Sequence, residues 1–215
     1  MMNFDMQPKN LRFFVWGTIL FFCFLILLFL ETQQIFLTID PIITAFFQKI
    51  IPPSAIIPLS VFSLLGIFEI TSLAVILIGL FIFKKERKIY YPLVFFGLIL
   101  VFELIGKIFL YHPGPPKEFF RFYLPFSFPS VHVDTAYSFP SGHVSRTLFL
   151  VVILLFLFTT HIKNVGKKFL LTASCYLLAA LMIISRIYLG EHWASDVLGG
   201  IFLGASMGLL TLVYY

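Results

Sequence analysis

Residues Phe13 to Leu30 read FFVWGTILFFCFLILLFL, an apolar run without a charged side chain. An α-helix rises about 1.5 Å per residue, so roughly 20 such residues cross the hydrocarbon core of a bilayer. The run is too long for the apolar region of a signal peptide, and Glu31-Thr32-Gln33-Gln34 after it is not a small-residue cleavage site, so it reads as a retained helix. Five further runs follow: about Pro58 to Phe83 with Glu69 inside it, Ile89 to Tyr111 with Glu103 and Lys107, Gly142 to Thr160, Lys168 to Leu189, and Ser195 to Tyr215. The stretch Gln33 to Ser54 has apolar residues on one helical face, but Asp40 and Lys49 break it, and it reads as a helix lying in the membrane interface. The expectation is an all-α membrane protein with six transmembrane helices and a short interfacial helix between helices one and two. It would form a single domain over residues 1–215, with its motif-bearing core at about 100–200.

Composition points the same way. Of 215 residues, 60% are hydrophobic and 12% charged, against about 25% charged in a soluble domain. The net charge of +5 is not a nucleic-acid signal, because the basic residues sit in short clusters between apolar runs, where they mark topology. Lys9, Arg12, Lys84, Lys85, Arg87, Lys88, Lys163, Lys167 and Lys168 fall on one side of the expected bundle. Lys49, Lys117 and Arg121 fall in loops on the other, with Lys107, Arg146 and Arg186 at helix ends there. Both termini are therefore expected in the cytoplasm, and the long loop from His112 to Pro140 outside it. Cys23 and Cys175 lie in separate apolar runs, so no disulfide is expected. No pair among the five histidines has a familiar zinc spacing, and no metal or cofactor is expected.

The polar residues that look misplaced gather at the outer ends of helices three to six. Charges at membrane depth cost several kcal/mol and default to a functional reading. In Ser185-Arg186-Ile-Tyr-Leu-Gly-Glu-His192-Trp-Ala-Ser-Asp196, His192 and Asp196 are four apart and share a helical face. A carboxylate that accepts one imidazole N–H leaves the other nitrogen as a base or nucleophile. Arg186 supplies a guanidinium fork suited to phosphate. An interfacial histidine with a helix-capping aspartate would read the same way. In Phe139-Pro140-Ser141-Gly142-His143, Ser141 is a natural N-cap, and the free N–H groups of a helix start attract anions. His143 stands there as a possible proton donor, though an ordinary capped helix also fits. Lys107 precedes His112-Pro113-Gly114-Pro115-Pro116, and a lysine at a helix end commonly snorkels to the interface. Glu69 and Glu103 read as interhelical hydrogen-bonding groups. His132 and Asp134 lie in the long loop near the expected site.

Together the three segments resemble the signature of the type-2 phosphatidic acid phosphatase superfamily. Its parts are a Lys six residues ahead of an Arg-Pro pair, then Pro-Ser-Gly-His, then Ser-Arg, five residues, His, three residues and Asp. The second and third parts match in full, and the likeness runs from about Asp40 to the C-terminus. The resemblance implies a metal-free double displacement on a lipid phosphate. His192 would attack phosphorus and Asp196 would orient it. His143 would protonate the leaving group and then activate water. Lys107, Ser141, the Gly142 N–H and Arg186 would hold the phosphoryl oxygens. Undecaprenyl pyrophosphate is the favoured substrate from family habit, with phosphatidic acid and phosphatidylglycerol phosphate as others. A phosphotransferase using the same site, or a lipid-binding protein without catalysis, are the alternatives. One position departs from the signature: the arginine of the first part falls on Gly114, and His112 or Arg146 are the candidates to take its place.

Overall fold

The computed structural model describes residues 7–126 and 137–215, apart from positions 87 and 89; His132 and Asp134 lie outside the described residues. Among the described residues there are eight α-helices: α1 (Pro8–Thr32), α2 (Ile39–Ile50), α3 (Ile56–Ser63), α4 (Phe68–Glu86), α5 (Tyr90–Phe109), α6 (Gly142–His161), α7 (Val165–Tyr188) and α8 (Ala194–Leu212). Five of them, α1, α5, α6, α7 and α8, are long and apolar enough to cross a membrane. These match the expected first, third, fourth, fifth and sixth runs to within a few residues. Helix starts follow local chemistry. Pro8 opens α1 at a position that needs no N–H donor. The Asn164 side chain accepts the Lys167 N–H at 2.9 Å and caps α7.

The remaining elements differ from the simple run of apolar residues. The stretch Pro58 to Phe83 is not one helix: α3 tightens into a 3-10 turn at Leu64–Gly66, Ile67 is extended at ψ 158°, and α4 then begins. The break frees the Gly66 carbonyl, which accepts a hydrogen bond from Arg146 Nη2 at 3.2 Å. The stretch expected to lie in the interface holds α2, which meets Pro53–Gly66 at a bend of 99°; the pair is apolar enough to be a broken span or a re-entrant loop, so the described residues hold five spans, or six with this pair. Asp40 on this helix is buried, and its carboxylate accepts the Ser195 N–H at 3.0 Å and the Ser195 hydroxyl at 2.6 Å. Its Gln48 side chain donates to the carbonyls of Phe119 (2.6 Å) and Tyr188 (3.0 Å). Asp40, one of the two residues that broke the apolar face of α2, therefore binds it to the start of α8, and Gln48 binds it to the end of α7.

Helix α8 is the centre of the packing. Gly200, Gly204 and Gly208 form one stripe, four residues apart, against α6. A Cβ on Gly200 would stand 2.7 Å from the Ser141 carbonyl oxygen, and one on Gly208 would stand 2.8 Å from Val152 Cβ. Lipid tails are as apolar as leucine, so helices in a bilayer associate through close packing of this kind. On another side Gly17 of α1 meets the Leu210 side chain. The buried core between them includes Phe24, Ile99, Phe139, Phe149, Ile153 and Leu203. Where α7 turns into α8, Gly190 has φ 67°, and a Cβ there would strike the Phe119 backbone. This tight turn brings the end of α7 and the start of α8 to the same end of the bundle as the start of α6.

Candidate active site

The start of α8 fixes two of the expected residues. Asp196 is in the first turn and reaches back, so that its Oδ2 accepts the Trp193 N–H at 2.9 Å. The same oxygen lies 3.2 Å from His192 Nδ1. A buried carboxylate in that place selects the tautomer with the proton on Nδ1 and leaves Nε2 with its lone pair. The His192 backbone N–H donates to the Arg186 carbonyl at 3.3 Å, so the end of α7 sets its position as well. The side chain is 12% exposed, whereas that of Asp196 is fully buried.

The start of α6 is joined to the start of α8 by a hydrogen bond from the Ser141 N–H to the Asp196 carbonyl, 3.0 Å. Ser141 occupies the N-cap position, but its side chain makes no capping hydrogen bond, and its buried Oγ has no hydrogen-bond partner among the described residues. Gly142 has a packing role that the sequence did not suggest. A Cβ there would come within 2.7 Å of both Arg146 Nη1 and Glu103 Oε2. His143 lies in the field of Arg186, Arg146, His192 and Lys107. Its ring sits against Gly66, where a Cβ would come 2.9 Å from His143 Cδ2.

Arg186 is 1% exposed. Its Nη1 is ion-paired with Glu191 and its Nε donates to Ser185 Oγ at 3.4 Å, while the buried Nη2 has no hydrogen-bond partner among the described residues. A buried guanidinium with an unpartnered donor, and an unpartnered serine hydroxyl at the same end of the bundle, are groups that can take the oxygens of an anion. Lys107 is half-buried at the end of α5 and makes no hydrogen bond or ion pair with any described residue. The structure thus brings His143, Ser141, Arg186, His192, Asp196 and Lys107 to one end of the bundle.

The two candidates for the place of the missing arginine are both engaged elsewhere. Arg146 Nη1 lies 2.6 Å from Glu103 Oε2 in a buried pair between α5 and α6, and Ser145 donates to the other Glu103 oxygen. Glu103 is therefore an interhelical hydrogen-bonding group. His112 is buried behind Asp196, with its Nε2 3.2 Å from Asp196 Oδ1 and its Nδ1 3.0 Å from Glu31 Oε2. Burial works against the imidazolium, but the carboxylates of Asp196 and Glu31 outweigh it, and the His112 pKa is pushed up to about 10. Glu31 and Glu191 are site-bordering residues that sequence reasoning passed over. The signal for Glu31 was a carboxylate at the end of an apolar run. Among the described residues no group of three His, Cys, Asp or Glu side chains could hold a metal ion.

The family model of the PAP2 superfamily matches residues 112–215, the stretch that holds His143, Arg186, His192 and Asp196. Over 138 residues the chain is 30% identical to phosphatidylglycerophosphatase B of Bacillus subtilis (strain 168). Residues 112–215 thus match the PAP2 superfamily. The alignment covers 64% of this chain and 63% of that relative, so it spans less than two thirds of the relative's length. The fold of this protein resembles the crystal structure of a transmembrane PAP2 type phosphatidylglycerolphosphate phosphatase from Bacillus subtilis, with a TM-score of 0.70 at 26% identity, over 92% of this chain and 94% of the other. It shares its fold with LpxE of Aquifex aeolicus, with a TM-score of 0.59 at 22% identity, over 82% and 96% of the two chains. The PAP2 match and the apolar helices together make this a membrane protein.

Proposed function

We propose that this protein is a lipid phosphatase that releases phosphate from a lipid head group by way of a phosphohistidine. The observation that carries the reading is the Asp196 contact to His192 Nδ1, which leaves Nε2 with its lone pair at the end of the bundle that also holds the unpartnered Arg186 Nη2 and Ser141 Oγ. In the first step, the His192 Nε2 lone pair forms a bond to phosphorus as the bond from phosphorus to the lipid oxygen breaks. That oxygen takes a proton from His143. In the second step, water gives a proton to His143 as its oxygen bonds to phosphorus, the N–P bond breaks and inorganic phosphate leaves. General acid–base help of this kind contributes about 10²- to 10⁴-fold. Lys107, Ser141, the Gly142 N–H and Arg186 hold the phosphoryl oxygens, whose developing charge is the main catalytic demand.

Phosphatidylglycerol phosphate is the substrate we favour over undecaprenyl pyrophosphate. The support is the likeness, in sequence and in fold, to a Bacillus subtilis protein named for that activity; undecaprenyl pyrophosphate rests on family habit alone. Phosphatidic acid is the third candidate. Both termini lie in the cytoplasm and the site opens on the opposite face, a reading supported by nine Lys and Arg in the segments assigned to the cytoplasmic side. A lipid there keeps its tails in the bilayer while its phosphate reaches His192. The test compares phosphate release from the three lipids by the native protein and by His192→Ala, with and without vanadate. Turnover of a lipid phosphate that vanadate inhibits and His192→Ala abolishes is the expected result. Full turnover by His192→Ala would overturn the mechanism, and phosphate transferred to a second lipid instead of released would make the protein a transferase.

A further inference from the structure

Four side chains form an unbroken chain into the site: Glu31 at the end of α1, His112 in the loop after α5, Asp196 and His192. Three of them are buried, with Glu31 and Asp196 at 0% and His112 at 2% exposure. The contacts are 3.0 Å from Glu31 Oε2 to His112 Nδ1, 3.2 Å from His112 Nε2 to Asp196 Oδ1, and 3.2 Å from Asp196 Oδ2 to His192 Nδ1. The first two are ion-pair contacts rather than aligned hydrogen bonds, since the Glu31 and Asp196 oxygens concerned have no hydrogen-bond partner among the described residues.

The backbone around His112 is held just as firmly. Its carbonyl accepts from the Ser138 N–H at 3.0 Å and the Ser138 hydroxyl at 3.1 Å. The next carbonyl, of Pro113, accepts from Trp193 Nε1 at 2.9 Å, and Trp193 is the neighbour of His192. The edge of His112 also faces the Phe139 ring, with centroids 6.4 Å apart. A buried carboxylate needs a charged or hydrogen-bonding partner, and for Glu31 the only one among the described residues is His112.

We propose that His112 and Glu31 are positioning residues for the nucleophile, His112 fixing Asp196 from behind and Glu31 fixing His112. The inference rests on the reading of His192 as the nucleophile. With His112 as an imidazolium between two carboxylates, Glu31, His112 and Asp196 carry one net negative charge toward His192. When the His192 Nε2–phosphorus bond forms, that imidazole becomes cationic and the four-residue chain becomes neutral. The cluster is therefore matched to the phosphohistidine and to the transition state leading to it, not to the resting enzyme. Other titratable side chains among the described residues act on it, His143 of α6 on His192 among them. Asp40 of α2 acts on Asp196 and Glu31, and Lys107 of α5 acts on Asp196. The segment that carries an arginine toward phosphate in the family signature carries its cation here behind the aspartate.

The test uses the full chain in detergent, with native protein and His192→Ala assayed first on the three lipids, so that a failure of the phosphatase reading is seen before any variant of this chain is scored. His112→Gln should lower kcat about 10- to 100-fold with KM within about twofold, as loss of a supporting partner does at other histidine sites. Glu31→Gln should lower kcat less, and the double variant no further than His112→Gln alone, because the two act as one unit. Loss of the His112 cation should also move the acid limb of the pH–kcat/KM profile to higher pH, since a positive charge that opposes protonation of the site is then gone. An unchanged kcat, or a lower kcat with an unmoved acid limb and additive losses, would overturn the proposal. If the variants do not fold, nitrogen-15 histidine spectra of the native protein decide. One of the five histidines should keep both ring nitrogens protonated at pH 9, and titration of all five below pH 8 would overturn the proposal.

Discussion

The Arg146 guanidinium lies 2.6 Å from the Glu103 carboxylate, across the contact between α5 and α6, and the start of α6 closes over the pair at Gly142. Breaking a buried ion pair by removing one partner leaves an uncompensated charge, at a cost of about 3–5 kcal/mol, whereas replacing both by apolar residues of similar size is often neutral. Arg146→Ala and Glu103→Ala should each lower the thermal unfolding temperature in detergent strongly. Glu103→Leu combined with Arg146→Met should recover most of the loss. A phosphate-binding Arg146 would instead show itself in the double variant as a KM raised about tenfold or more with stability restored.

What the residues disclosed in one dimension follows their physics. Long apolar runs and the spacing of His192 and Asp196 are local, and α1, α5, α6, α7 and α8 stand where those patterns put them. The break at Gly66 is not local. Phe62 to Phe68 reads as continuous apolar helix, and only Arg146, 80 residues later, shows why a carbonyl is set free there. Asp40 looked like a blemish on an interfacial helix because its partner, Ser195, is 155 residues away. Distance in sequence hid Glu31 as well. Its reason to be buried is His112, whose own place behind Asp196 depends on where three helix ends meet.

The Asp40 contact predicts a link between a remote helix and the site. Its carboxylate satisfies both donors of Ser195, one residue from Asp196. Leaving buried donors unpaired costs about 1–3 kcal/mol each. Asp40→Ala should therefore destabilise the protein by a few kcal/mol and reduce kcat more than KM, because the turn that aims His192 loosens. Ser195→Ala should cost about 1 kcal/mol less, since only one donor is removed and Asp40 keeps the Ser195 N–H. Thermal unfolding together with steady-state phosphate release separates the two effects.

Gly114 offers a gain-of-function test. The residue is exposed, its φ is not in the left-handed region, and a Cβ there would meet only the Ser138 side chain, at 3.4 Å. Gly114→Arg should thus fold normally and restore the arginine of the family signature. A hydrogen bond from a charged donor contributes about 1.5–3 kcal/mol, so the KM for a lipid phosphate should fall by roughly tenfold or more, with kcat little changed. An unchanged KM would mean that the loop does not direct this position toward the phosphate.

The dependence of stability on pH follows from His112, which among the described residues is the group outside the helices whose ionisation the site alters strongly. Its pKa rises from an ordinary 6.5 to about 10 in the folded protein. A group whose folded pKa is raised binds its proton more tightly in the folded state, so the protonated form stabilises the fold and that contribution is given up as the proton is lost. The contribution is complete below pH 6.5 and is lost as pH climbs toward 10, and for a shift of this size it is on the order of a few kcal/mol. The unfolding temperature of the native protein should fall across that window. In His112→Gln the decline should be flatter, because the neutral amide has no proton to lose, and the difference between the two curves isolates the contribution of His112. Parallel curves for native and variant would show that His112 holds no extra proton in the folded state. They would also remove the charge that the Glu31 and Asp196 carboxylates are arranged around.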